Sequence, residues 1–401
     1  MANRSEPRAA VKAGQPNASS GMATVTRGAD VPGPRTPWGL VAALYAAGLL
    51  AAGQFAKVSL TLGPLAEIYP GAPVAFVVSG VAVMGILFGV VAGGITASIG
   101  PRRAILVALA VSAIAGVAQG ALPAFPLLMA LRVVEGAGHL LLVVAVPTLM
   151  AAVAAERDRA TVMGLWATFF GVGFTLAALV IGETPGLVFA THGGLAAGLG
   201  LLLWVMLPRA VTSERRALPR LSDHLAIYTT PRLFAPGLGH GIYALLFLAM
   251  VTYLPAALGA GWLSPVLPIA GLSGSLLTGV LARRVPPSRL VWGGFLLLGA
   301  LFLLTGFAGP LAPFVAILAM ALSGVVAGAG FAAVPWLNTT NADRALANGA
   351  LAQLGNVGTF AGTPLLAAMG LAAALPLAVT ICAAGAVLTA LAYRAARVRG
   401  A

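Results

Sequence analysis

The chain has 401 residues, 60% of them hydrophobic and 8% charged, against roughly a quarter charged in an ordinary soluble domain. So few charged side chains cannot coat a water-soluble globule, which excludes soluble enzymes. One cysteine, Cys382, excludes both an intramolecular disulfide and a cysteine-built metal cluster. A net charge of +13 and a pI near 11.3 would indicate a nucleic-acid partner if the cations formed one binding face. Here they fall between apolar stretches. The only lysines are Lys12 and Lys57 and no Gly-Lys-Ser or Gly-Lys-Thr occurs, so the chain has no phosphate-binding loop for direct use of ATP.

Residues 1–36 are polar and rich in Pro, Gly and Ser; they read as a disordered tail without the apolar core of a signal peptide, and Met22 is an alternative start. Twelve apolar segments follow, at about 38–63, 74–98, 104–122, 127–152, 161–182, 186–207, 233–258, 263–282, 290–308, 311–337, 345–367 and 371–393. Each is long enough to cross a hydrocarbon core of about 30 Å as a helix, the form in which a chain satisfies its own backbone groups in lipid. Basic residues mark cytoplasmic loops. The two tails and the even-numbered connections hold 21 of the 23, and the odd-numbered connections hold none. Twelve spans with both termini in the cytoplasm fit that distribution, in a bacterial-type inner membrane.

The longest connection divides the chain into two sets of six. Asp158-Arg159-Ala160, with Gly164, Ala167 and Val172-Gly173, recurs as Asp343-Arg344-Ala345, Gly349, Ala352 and Val357-Gly358, at a constant shift of 185. Six spans return the chain to the same side, so the halves are expected to be parallel repeats with a path between them near mid-membrane. The expected organisation is a cytoplasmic tail at 1–36, a six-helix bundle at 37–207, a cytoplasmic linker at 208–232, a second six-helix bundle at 233–393 and a cytoplasmic tail at 394–401. The fold class is an all-α membrane protein.

Gly93, Gly100, Arg102 and Arg103 match the glycines and terminal basic residues of a loop signature, although Ala97 and Ser98 stand where that pattern carries an acid and a base. Arg132, Gly136 and Gly138 complete a second signature in the fourth span. In these motifs, across nearly the whole chain after the tail, the sequence resembles the major facilitator superfamily of secondary transporters. Met163-Gly164-Leu165-Trp166 and Gly63-Pro64-Leu65 look loosely like its cyanate- and nitrate-type branches. The resemblance implies the twelve-helix fold, a rocking transport cycle, no cofactor, a gating role for the Gly93–Arg103 loop, a part for Arg132 in proton coupling, and a monomer as the sufficient unit.

Ionisable groups inside hydrocarbon cost a few kcal/mol each and are functional candidates by default. Arg132, Glu135 and His139 share one helical face by their spacing, with Glu135 near mid-membrane. They are the candidates for proton coupling, Glu135 exchanging the proton, Arg132 tuning it or holding an anionic group, His139 relaying. Self-neutralisation of Arg132 by Glu135 within one helix is the alternative. Lys57, with Gln54, either gives positive charge to a cavity or snorkels to the outer interface. His240 and Tyr243 are candidate cavity lining, Trp166 heads an aromatic stripe able to stack on a flat substrate or simply to pack, and His192 reads as interfacial. Asp158 and Asp343 fit N-caps, or gate residues, of the fifth and eleventh spans.

The expected function is proton-coupled transport by alternating access of a small solute, anionic or bearing an anionic group, with protons and the bilayer as partners and no nucleic acid or metal. The alternative is efflux of apolar, aromatic or cationic compounds. An intramembrane enzyme would need a convergent nucleophile, acid and base that the short loops do not supply.

Overall fold

The computed structural model describes residues 35–209 and 227–398. The expected N-terminal tail, apart from its last two residues, most of the 208–232 linker and the final residues lie outside the described part. Everything described is helix and short connection. In chain order the helices are α1 Trp38–Leu60, α2 Leu62–Ile68, α3 Ala75–Ser79, α4 Ala82–Phe88, α5 Ala92–Ile99, α6 Pro101–Gly120, α7 Phe125–Val153, α8 Glu156–Ala167, α9 Phe169–Val180 and α10 Pro185–Met206. After the linker come α11 Pro231–Ala257, α12 Leu263–Leu281, α13 Pro287–Phe307, α14 Ala312–Leu337, α15 Asn341–Met369 and α16 Ala374–Val398. Pro101, Pro185, Pro231 and Pro287 each open their helix, where the missing N–H is not needed and the fixed φ is already helical.

Among the described residues, nine helices are long and apolar enough to cross a membrane, and two bent pairs raise the number to eleven if each pair is one span. The chain is thus a multi-pass, all-α membrane protein, with nine to eleven apolar spans rather than the twelve expected. The shortfall lies in α15, a continuous 29-residue helix whose polar residues, Gln353 and Asn356 among them, keep it below the hydropathy of a span. The second expected span is not one helix either. It is broken into α3, α4 and α5, with a 90° turn between the last two. Hydrogen bonds there tighten from i−4 to i−3, as in Val83 N–H to Gly80 and Val91 N–H to Phe88, which overwinds the helix and bends it. The fifth expected span bends by 45° between α8 and α9, where the Thr168 hydroxyl donates back to the Leu165 carbonyl at 2.7 Å.

Packing is organised around two central helices. α1 lies against α7, α9 and α10, while α6 packs on α7 and α10; α11 lies against α14, α15 and α16, while α13 packs on α14 and α16. Across the two groups α3 and α4 meet α15, and α9 meets α12. Glycines set the closest approaches, since no Cβ holds the backbones apart. A side chain on Gly274 would run into the backbone of Ala321, one on Gly324 into Gly271, and one on Gly116 would come within 2.8 Å of Gly193 Cα. One apolar core gathers Leu44, Leu109, Leu142 and Leu203; a larger one contains Phe247, Phe295, Phe302 and Met320.

Candidate functional site

The charged residues of the apolar interior converge. Glu135 of α7 accepts from Lys57 Nζ of α1 at 2.7 Å through Oε1, and from the Arg132 guanidinium through Oε2. Gln119 Nε2 of α6 donates to the same Oε2 at 2.9 Å. Lys57, Arg132, Glu135 and Gln119 are almost wholly buried. Lys57 therefore turns inward rather than snorkelling, and Arg132 and Glu135 do not neutralise each other alone. Two cations face one carboxylate, leaving one buried positive charge uncompensated. In a low-dielectric interior that imbalance is costly, of order a few kcal/mol.

Local structure explains how Arg132 reaches this position. Besides Glu135, it donates to three backbone carbonyls: Nε to Val77 at 2.8 Å, and Nη2 to Gln54 at 2.9 Å and Val78 at 3.3 Å. Val77 and Val78 belong to α3, next to the break before α4, where carbonyls lack regular helical partners. The glycines four and six residues on serve the same approach. A Cβ on Gly136 would collide with the Val81 backbone, and one on Gly138 would come within 2.8 Å of the Ala108 carbonyl. The spacing of Arg132, Gly136 and Gly138 therefore lets α7 press against α4 on one face and α6 on the other while the guanidinium enters the gap.

A second tier surrounds the charges. Gln54 Nε2 donates to Ser112 Oγ at 2.9 Å, and Gln54 Oε1 pairs with His139 Nδ1 at 2.9 Å. His139 meets Phe55 edge-on, with 5.1 Å between ring centroids. His192 of α10, read from sequence as interfacial, is instead buried at the cluster. Its Nε2 bonds the Leu50 carbonyl at 2.9 Å, and its Nδ1 has no hydrogen-bond partner and lies 3.8 Å from Glu135 Oε1. Gln119, Ser112 and His192 are the members that sequence reasoning missed. A usable signal existed: each is a polar residue interrupting an otherwise apolar run.

The remaining candidates stand apart. His240 and Tyr243 of α11 lie 5.5 Å apart by ring centroids, and His240 Nδ1 is buried without a partner. A chain of ring contacts joins them to the first group of helices, from Tyr243 through Phe247 and Phe170 to Phe55. Trp166 is stacked on Phe169 at 4.4 Å and faces Gly48 of α1, so it packs against that helix away from the charges. Gly93 is exposed, and Gly100, at φ +82°, makes the left-handed turn into α6. Arg102 caps the C-terminus of α10, donating to the carbonyls of Leu207 and Trp204 and lying over the Trp204 ring, where a cation meets the negative end of the helix dipole. Arg103 is exposed.

Neither aspartate is an N-cap, contrary to the sequence expectation. Asp158 sits in the first turn of α8 after Ala155, and accepts from the Thr36 hydroxyl at 2.6 Å, while that hydroxyl accepts from Ala155 N–H at 2.9 Å. The cap of α15 is Thr340, which accepts from Asp343 N–H; Asp343 takes Arg232 at 2.7 Å. That arginine, with the Thr340 bond, holds the Asp343 carboxyl below its ordinary value.

A family model described as Major Facilitator Superfamily matches residues 40–363. No curated protein is detectably similar in sequence. Among solved structures, a bacterial homolog of the human lysosomal transporter Spinster, inward-facing and occupied, superimposes with a TM-score of 0.73 at 14% identity, over 90% of this chain and 97% of that one. Its unoccupied form gives 0.69 at 14%, over 90% and 96%. The inward-open xylose transporter XylE from E. coli gives 0.70 at 15%, over 88% and 95%. At such identities the likeness is one of fold, and none of these matches points to a cyanate- or nitrate-type branch.

Proposed function

The chain belongs to the Major Facilitator Superfamily, a transporter rather than an enzyme, and from that premise we propose that it carries a small anion together with protons by alternating access. The proposed frame is twelve spans in two six-helix halves, 37–207 and 233–393, with both termini and the 208–232 linker in the cytoplasm. The recurrence of the α1 contacts in those of α11 supports it, as does the one-sided distribution of basic residues.

The observation that carries the substrate reading is the charge balance of the buried cluster: Lys57 and Arg132 against Glu135 alone. A bound anion compensates the surplus. Protonation of Glu135 releases the Lys57 ammonium and one Arg132 donor, so anion and proton favour each other's binding; loss of the proton lets the carboxylate reclaim Lys57 and expel the anion. Gln54 and His139 orient the anion, and His240 and Tyr243 are assigned to the lining of its path, with Trp166 backing that lining from its place against α1. Gly93, Gly100, Arg102, Arg103, Asp158 and Asp343 are assigned to the cytoplasmic gate, and a monomer is the working unit. A cationic substrate would have to displace two cations already seated on Glu135, which disfavours the efflux alternative.

The test is a thermal-shift screen of small anions and cationic drugs at two pH values, followed by uptake into liposomes under a proton gradient. A ligand at about 100 times its Kd stabilises by roughly 2.7 kcal/mol. The expected result is anion binding that tightens at acid pH, is lost in Lys57→Ala and becomes independent of pH in Glu135→Gln. A shift confined to cationic compounds and abolished by Glu135→Gln would overturn the reading.

A further inference from the structure

Between α9 and α10 the surface opens into a cavity of about 700 Å³, within the range of small-ligand pockets, about 300–1,000 Å³. Both helices pack on α1, which forms its back wall. The sides are apolar, with Leu49, Leu176, Val180, Leu195 and Leu202 on them. Several of these are strongly exposed, Val180 to 80% and Leu195 to 59%, so the mouth faces the lipid. Apolar surface alone would be ordinary lipid-facing protein. Here the cavity also reaches Lys57 and His192, which places the uncompensated positive charge at its inner end. The His192 ring is there too, more than nine-tenths buried, with Nδ1 unpartnered.

On α10 the lining runs from Leu187 to Leu202, and the stretch from His192 to Leu202 rises about 15 Å at 1.5 Å per residue, half of a hydrocarbon core of about 30 Å and so the depth of one leaflet's acyl chain. Gly194 and Gly198 lie along it with open space where a side chain would be. The arrangement is a polar, net-positive floor at Lys57 and His192 joined to an apolar trough.

We propose that this trough receives the acyl chain of a single-chain amphiphile with an anionic head, such as a long-chain carboxylate, which enters sideways from the bilayer and places its head at Lys57 and His192. The inference rests on the anion reading above and narrows its substrate class. The trough admits the tail, and the Lys57–Glu135 pair admits the head on protonation of the carboxylate.

The experiment is photolabelling of the full chain, reconstituted in lipid discs, with a diazirine-bearing C16 carboxylate, followed by peptide mapping and competition. Labelling is expected in segments 173–182 and 187–202. It should be competed by palmitate but not by hexadecanol, and fall by roughly tenfold in Lys57→Ala, the change expected when a charge-assisted contact is lost. Gly198→Leu, whose side chain enters open space, should abolish the trough labelling yet keep the melting temperature. Competition by hexadecanol equal to that by palmitate, or undiminished labelling of Gly198→Leu, would overturn the proposal, the trough then holding bulk lipid. If short-chain anions bind in a Lys57-dependent manner while palmitate does not compete, the trough proposal falls and the anion reading stands. If no anion of any length binds, both fall.

Discussion

The two groups of helices share a packing plan but not an interior. Around α1 the centre is ionic, with Lys57, Arg132 and Glu135 tied by Gln119, Gln54 and His139; around α11 it is close-packed and apolar, and its deep titratable groups, His240, Tyr243, Cys382 and Tyr393, form no ion pair among the described residues. The same frame therefore separates two tasks. On the reading proposed above, the first group supplies binding charge and bears its desolvation cost, while the second, without a buried ion pair among the described residues, rests on apolar packing and on backbone-to-backbone contact at Gly274, Gly324, Gly358 and Gly362.

That division can be broken from either side. The largest effect is expected from Glu135→Ala, which strands two buried cations: unfolding in SDS should show a loss of about 3–5 kcal/mol, and proton-driven uptake should cease. Next is Gly274→Leu, where the added side chain meets the Ala321 backbone; a loss of about 1–3 kcal/mol from overpacking should appear as a lower melting temperature with anion affinity intact. A drop in affinity as large as that of Lys57→Ala would show that the two groups do not divide the work. His240→Phe removes an unpartnered buried nitrogen, so stability should rise, by at most about 1 kcal/mol; a marked destabilisation would mean that the second interior is polar in substance.

The smallest effect belongs to the pins at the helix starts. Each group ties the start of its central helix to the start of the helix packed beside it, by Thr36 to Asp158 in one and Arg232 to Asp343 in the other. Since Asp343 titrates lower in the folded protein, its contribution is present above an unfolded value of about 3.9 and disappears as pH falls through the folded one. Arg232→Ala should therefore cost no more than about 1 kcal/mol at neutral pH, and progressively less as the pH falls below the unfolded value. Melting curves across that interval measure it.

The helix positions were readable because hydropathy over twenty residues is a local property, and the one-face alignment of Arg132 and Glu135 follows from helical period alone. The rotational phase of α1 is not local: whether Lys57 points inward depends on how its neighbours pack, and so does the burial of His192. The start of α8 escapes a sequence reading for the same reason, because the hydroxyl on its Ala155 N–H comes from Thr36, more than a hundred residues away; the cap of α15 is a local matter, Thr340 taking the place three residues before Asp343. Gly85, Gly89 and Gly93 form a smooth face by their four-residue spacing, but the breaks in that span depend on Arg132 taking the carbonyls set free at Val77 and Val78.

Those carbonyls connect the charge cluster to the other group of helices. α3, which holds them, also touches α15 through Phe76 against Phe360 and through the Thr363 hydroxyl on the Ala75 carbonyl. By thermodynamic reciprocity, if adding a proton at Glu135 shifts this seam, then clamping the seam must alter the affinity of Glu135 for its proton by the same factor. A cross-link between positions 76 and 360 thus becomes a handle on the acidity of Glu135, reached through Val77 and Arg132, and the proton in turn becomes a ligand of the α3–α15 interface.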